Sequence, residues 1–106
     1  MRALNAQMLK QLKMYGVSEV SGLSLDFYYV TNDSVKAQHL SDELEKSGYH
    51  ANRVHRSSKD QTLWVIPASS SRVNMDTSSL NNWTDTACEL GYKNDCRFQG
   101  WNPVTE

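Results

Sequence analysis

The sequence predicts one mixed α+β domain over residues 1–106, and three observations support this prediction. Segments with the two-residue period of a β-strand alternate with segments that have the longer period of an amphipathic helix. The chain has 106 residues, close to the commonest domain size and long enough to bury one core. After a first helix, the elements follow the order strand, helix, strand, strand, helix, strand.

Residues 1–16 predict an amphipathic helix that ends at Gly16. Its apolar residues recur at about one helical period and are Leu4, Met8, Leu12 and Tyr15. Such a stripe needs a partner, either the core of the domain or a second copy of the chain. A polar connection, VSEVSG, follows.

Residues 23–31, LSLDFYYVT, alternate as a strand whose Leu25, Phe27 and Tyr29 share one face. Asn32 or Asp33 can cap the helix that follows over SVKAQHLSDELEKSG, because their side-chain oxygens accept hydrogen bonds from unpaired backbone N–H groups. Its buried stripe is predicted to be Ala37, Leu40 and Leu44, with Gly48 at the left-handed position after the helix.

The second half predicts two strands, a helix and a last strand. The polar segment YHANRVHRS suits an edge strand, and the apolar segment TLWVIPA suits a central strand that ends at Pro67. SSSRVNM is predicted as a loop, and Asp76 or Thr77 caps a helix that ends at Gly91. Its predicted inward positions are Leu80, Trp83, Ala87 and Leu90. DCRFQGWNP completes the domain as the final strand.

The order βαββαβ over residues 23–104 is that of a ferredoxin-like fold. Right-handed crossovers place both helices on one face of a four-stranded antiparallel sheet. The first and third strands are then expected at the centre, with the last strand beside the first. The extra N-terminal helix lies outside this pattern.

The face of the sheet away from the helices is the candidate contact surface. Alternation places Tyr28 there, together with Arg97, Gln99 and Trp101 of the last strand. If Trp64 also points to this face, Tyr28, Trp64 and Trp101 form an aromatic platform; the sequence equally allows Leu63 and Val65 to point there instead. The N-terminal helix could cover this face, and a bulge at Gly100 could fold Trp101 over the sheet edge.

No pattern of catalytic or metal-ligating residues emerges from the sequence, so we predict no enzyme, cofactor or metal. His50 and His55 are an odd number apart and should point to opposite faces of a regular strand, and His39 has no metal-ligand spacing to either. Cys88 and Cys96 are predicted to be core thiols in a reducing compartment, although a disulfide between them is also compatible with the sequence. No apolar run is long enough for a membrane span, so we expect a cytoplasmic protein.

Direct RNA binding is the weaker alternative for the open face. Some sheets of this topology stack bases on exposed aromatic rings. The formal net charge is -1, and TLWVIPA lacks the aromatic and glycine signature of such sheets. These two features argue against nucleic acid as the main partner.

Several segments together resemble the RraB family, the bacterial regulators of ribonuclease E activity. They are LDFYYV, AQHLSDELEKSGY, LWVIPA and the closing FQGWNP, and they span about Met8 to Pro103. In the closing motif, family members typically show Tyr-Asp-Gly-Trp, where this chain has Phe98, Gln99, Gly100 and Trp101. The resemblance is thus close over the fold, and Gln99 departs from the family by removing a carboxylate.

The resemblance implies a non-catalytic protein that binds ribonuclease E or a related component of the RNA-decay machinery. Interface hot spots are enriched in Trp, Tyr and Arg. The candidate partner-binding residues are therefore Tyr28, Trp64, Arg97, Gln99, Gly100 and Trp101. A small interaction module of the immunity type with another partner is the alternative, and a homodimer is also compatible with the sequence.

Overall fold

The computed structural model describes residues 2–14, 16 and 22–103, and this part of the chain is a mixed α+β structure. The helices are α1 Arg2–Met14, α2 Ser34–Lys46 and α3 Thr77–Lys93. The strands are β1 Gly22–Leu23, β2 Leu25–Thr31, β3 His50–Ala51, β4 His55–Arg56, β5 Trp64–Ser69, β6 Val73–Asn74 and β7 Arg97–Pro103. The α+β prediction is confirmed. The side chain of Leu4, Tyr15 and the connection over 17–21 lie outside the described residues.

The main sheet is antiparallel, with the strand order β3-β5-β2-β7 and with β4 also paired to β5. The predicted placement of the first and third strands at the centre, with the last beside the first, is therefore confirmed. The predicted number of strands is wrong, because the described main sheet has five strands. A second sheet of β1 and β6 also forms, where residues 73–74 were predicted as loop.

The extra strand arises because the predicted edge strand is broken into β3 and β4 opposite Pro67. Asn52 N–H donates to the carbonyl of Pro67 at 2.9 Å, so Pro67 presents its backbone to the edge side of β5. Since paired residues of an antiparallel ladder exchange both hydrogen bonds, the missing N–H of Pro67 faces Asn52, the first residue after β3. Pro67 therefore lies inside β5 and does not end it, contrary to the sequence prediction.

Both helices after the first strand begin as predicted, and their predicted inward residues are buried except Leu90, which is partly buried. Asp33 caps α2 by accepting from the N–H groups of Val35 and Lys36, and Asp76 caps α3 by accepting from Ser79. The buried residues of α2 include Ala37, Leu40 and Leu44, and those of α3 include Leu80, Trp83 and Ala87. Apart from Ala87, these residues join Leu25, Phe27 and Tyr29 of β2 in one core. The helix-facing side of the sheet thus carries the hydrophobic core of the domain.

Helix α1 packs against α3 on this same side. Leu9 and Leu12 are buried in the core and Met8 packs at its margin. The apolar stripe of α1 therefore packs against the core of its own chain. The alternative in which this helix covers the opposite face of the sheet is not what the structure shows. Among residues 2–14, 16 and 22–103, no helix lies over that face.

Gly91 serves close packing and does not end α3, which continues to Lys93. A Cβ at Gly91 would lie 2.7 Å from Tyr29 Cε2 and 2.8 Å from the carbonyl oxygen of Cys96. The Tyr29 ring cannot yield easily, because it is fully buried and its hydroxyl donates to the Ala87 carbonyl at 2.7 Å. The glycine therefore brings the last turns of α3 onto the centre of the sheet.

We predict that Gly91→Ala destabilises the fold by about 1–3 kcal/mol, the usual cost of overpacking a core. The measurement is the free energy of unfolding from urea titration. An alanine inside a helix is otherwise more favourable than glycine, so an increase in stability would contradict the packing role. Asn82→Ala, an exposed change on the same helix, is the control and should have little effect.

Candidate functional site

A β-bulge in β7 determines which side chains reach the open face of the sheet. Arg97 pairs with Val30 and Phe98 with Tyr29, whereas Gly100 pairs with Tyr28 and Trp101 with Phe27, so Gln99 is an extra residue. Gly100 has φ +131°, a conformation that favours glycine. The extra residue shifts the alternation by one, and Trp101 joins Phe27 on the helix side. The prediction that Trp101 lies on the open face is therefore wrong.

Trp101 is held on the helix side by a buried polar network. Its ring is 8% exposed, and its Nε1 donates to Asn5 Oδ1 of α1 at 2.9 Å. Asn5 is fully buried, and its Nδ2 donates to Asn81 Oδ1 at 3.0 Å and to Thr84 Oγ1 at 2.9 Å. Every side-chain hydrogen-bonding group of Asn5 is thus satisfied, as burial requires. The network joins α1, α3 and β7.

Trp64 also lies on the helix side, since it pairs with Thr31, a buried residue of β2. Its half-buried ring packs against the core, and the guanidinium carbon of Arg56 lies 5.0 Å from its centroid in a cation–π contact. The aromatic platform does not form. Of the three rings that it requires, only Tyr28 is on the open face, where it is 41% exposed.

We call the exposed face of the main sheet the open surface. Register pairs place its central residues together, because directly paired residues share a face. They are Tyr28, Val30, Val65, Pro67 and Arg97. Gln99 is exposed at the bulge beside them, and Gly100 pairs with Tyr28. Four of the six predicted site residues therefore lie at or beside this surface, and Trp64 and Trp101 do not.

The histidines lie at the exposed margins of the domain. His50 pairs with Ser69 and His55 with Val65, so both are on the open face. The prediction that they point to opposite faces is wrong, because the strand between them is broken. No group of three or more potential metal ligands occurs within the described ranges. Beside them, Asp26 accepts a hydrogen bond from Ser69 Oγ at 2.8 Å, so polar groups border the apolar centre.

A groove, which we call the end groove, adjoins the open surface at the C-terminal end of α3. It has a cavity volume of about 850 Å³, and its lining includes Val30, Leu63, Cys88, Tyr92, Arg97 and Phe98. Tyr92 is 87% exposed, and sequence reasoning missed it. Its position outside the Leu80–Trp83–Ala87–Leu90 stripe was the available signal of an outward-facing ring. The groove thus carries an aromatic group that the core does not use.

Both cysteines are unpaired thiols, which agrees with the core-thiol prediction for Cys96, whereas Cys88 is only half-buried. Burial raises the pKa of Cys88 and that of Cys96 above the ordinary thiol value. Both groups are therefore neutral at pH 7. Neither has the lowered pKa that a nucleophilic cysteine needs.

A family model described as "Regulator of ribonuclease activity B", RraB, matches residues 2–102. The chain belongs to the RraB family. The RraB resemblance seen in the sequence is thereby confirmed, and the family implies a regulator of ribonuclease activity. No curated protein matches the chain significantly. In the described part of the chain, none of the helices is both long and apolar enough to span a bilayer.

We predict that Trp101→Phe destabilises the domain by about 1–3 kcal/mol, because it leaves the oxygen of buried Asn5 without its donor. Asn5→Ala should also destabilise it, and the double variant should cost less than the sum, since the two residues form one network. Urea titration of the four proteins measures this coupling.

Trp64→Phe is the matched control for loss of an indole N–H, because the Trp64 indole donates to no residue in the described segments. Its cost should be smaller than that of Trp101→Phe. Additive effects of Trp101→Phe and Asn5→Ala would show that the hydrogen bond does not stabilise the domain.

Proposed function

We propose that this chain is a non-catalytic regulator that binds ribonuclease E, or a related component of the RNA-decay machinery, in the bacterial cytoplasm. Family membership supports a regulator of ribonuclease activity. The observation that carries the choice of surface is the position of α1, which packs on α3 and leaves the open surface uncovered by any described helix. An exposed patch with an apolar centre and polar margins is typical of a protein-binding site.

The open surface has the composition of a protein contact. Tyr28, Val30, Val65 and Pro67 supply an apolar centre, and Arg97 supplies an exposed cation at one end of the Val65–Val30–Arg97 row. Tyrosine and arginine are residue types enriched among interface hot spots. We therefore assign Tyr28 and Arg97 to direct contact, Gln99 to its border, and Gly100 and Trp101 to shaping β7. Trp64 supports β5 from the helix side.

The mechanism requires no chemistry from this chain. A bound regulator can lower cleavage by occupying a surface that the ribonuclease needs for RNA or for assembly. The strands that carry Tyr28 and Val65 are fixed by backbone pairing on both sides, so little conformational entropy is lost when they bind. We also propose that the domain is a ferredoxin-like fold whose second strand is divided into β3 and β4.

We predict that Tyr28→Ala weakens binding to purified ribonuclease E by at least about tenfold, the effect of a hot spot. The dissociation constant can be measured by surface plasmon resonance with immobilised ribonuclease, and inhibition can be followed with a labelled RNA substrate. The free energy of unfolding of Tyr28→Ala should change little, since the ring is half-exposed.

Val35→Ala is the matched control, because Val35 is an exposed apolar residue on α2 and lies away from the open surface. It should leave binding unchanged. Equal binding by Tyr28→Ala and the parent would exclude the open surface. Absence of any binding by the parent chain would exclude ribonuclease E as its partner.

A further inference from the structure

We propose that the end groove belongs to the same binding site and receives an apolar side chain from an acidic segment of the ribonuclease. This inference rests on the proposed function. It adds a second contact region and the chemistry of the partner segment. Four observations support it: the small area of the open surface, its continuity with the end groove, the apolar lining of the groove, and the charges beside it.

The open surface is too small to form a standard interface by itself. Four strand positions about 4.8 Å apart, of which the longest strands have seven residues, give a face of at most roughly 400 Å² in projection. A stable protein–protein interface buries about 800 Å² on each partner. A partner seated on the sheet therefore has to extend onto a neighbouring surface.

The end groove is continuous with the open surface. Val30 and Arg97 are paired on the open face of the sheet, and both also line the groove. A segment that crosses β2 and β7 at this row therefore reaches the groove without a change of direction. Such a segment needs no other path from the open surface to the helix side of the sheet.

The wall of the groove is suited to an apolar side chain. Leu63, Phe98 and the neutral thiol of Cys88 supply its apolar part. Its volume of about 850 Å³ is within the range of pockets that enclose ligands, about 300–1,000 Å³. Tyr92 flanks it with an exposed ring, which can close over an inserted aliphatic or aromatic group.

The charges at the groove favour an acidic partner. Asp95 is the acidic residue of the lining, and its carboxylate forms an ion pair with Lys36. That pairing lowers the pKa of Asp95 through the hydrogen bond from Lys36 and neutralises its charge locally. The guanidinium of Arg97, in contrast, has no partner among the described residues. Among the lining residues the unpaired charge is thus positive, and a carboxylate beside the inserted side chain complements it.

Cys88 offers a direct readout of occupancy. It is half-exposed on the groove wall, whereas Cys96 is buried. Alkylation of Cys88 by iodoacetamide can be followed by mass spectrometry, because tryptic cleavage after Lys93 separates the two cysteines. A group seated in the groove should slow alkylation of Cys88, and Cys88→Ala identifies its signal.

The experiment uses the full chain with two kinds of probe. The first is purified ribonuclease E, and the second is a pair of capped peptides with one central phenylalanine flanked by aspartates or by lysines. We expect ribonuclease E and the aspartate peptide to slow alkylation of Cys88, and the lysine peptide not to. Arg97→Glu should weaken binding of the aspartate peptide by about two- to fivefold, the effect of an exposed ion pair. The same change should strengthen binding of the lysine peptide.

The control is Arg72→Glu, which changes an exposed cation in the loop before β6. It should leave the binding of both peptides unchanged. Unaltered alkylation of Cys88 when ribonuclease E is bound would overturn the role of the groove while leaving the proposed function intact. Equal protection by both peptides would overturn the acidic preference. If ribonuclease E does not bind, it is excluded as the partner, and the peptide pair alone still decides the chemistry of the groove.

Discussion

The extra residue in β7 is the constraint on which the rest of the structure depends. Gln99 interrupts the pairing with β2, and Gly100, at φ +131°, lets the strand continue. As a result Trp101 turns to the helix side and meets Asn5 of α1. The position of α1 then leaves the opposite face of the sheet uncovered by any described helix. A local change in strand register thus separates the side of the sheet that carries the core from the open surface.

The polar network around Asn5 gives this separation its specificity. Leu9 and Leu12 could bury themselves against many apolar surfaces, because hydrophobic contact is not directional. Asn5 is fully buried and has partners for all its hydrogen-bonding groups only where Trp101, Asn81 and Thr84 converge. A docking of α1 that buried Asn5 away from these partners would leave its amide unsatisfied, which is costly. Apolar packing thus stabilises the docking of α1, and the hydrogen bonds of Asn5 select one docked position.

The sequence allowed prediction of features that arise from local periodicity and capping, such as the buried stripe of α2 and its Asp33 cap. Strand neighbours followed from the handedness of crossovers. The sequence raised a bulge at Gly100 as an alternative but could not decide the face of Trp101, because alternation holds only where pairing is regular and one inserted residue inverts it. Trp64 was undetermined, since both faces of TLWVIPA are apolar. The split of β3 from β4 depends on where the backbone of Pro67 points. The place of Tyr92 beside the end groove depends on which faces of the folded domain stay exposed.

The same separation suits a member of a family of regulators of ribonuclease activity, because one side of the sheet holds the fold and the other stays accessible. The core side uses the large rings of Phe27, Tyr29, Trp83 and Phe98 in edge contacts with one another, which fixes the sheet. A fixed sheet presents Tyr28 and Arg97 in one geometry before any partner arrives. Because binding energy is reduced by whatever must become ordered, a small surface on such a support can bind as well as a larger flexible one. Under the proposed function, regulation depends on where this surface attaches to the ribonuclease.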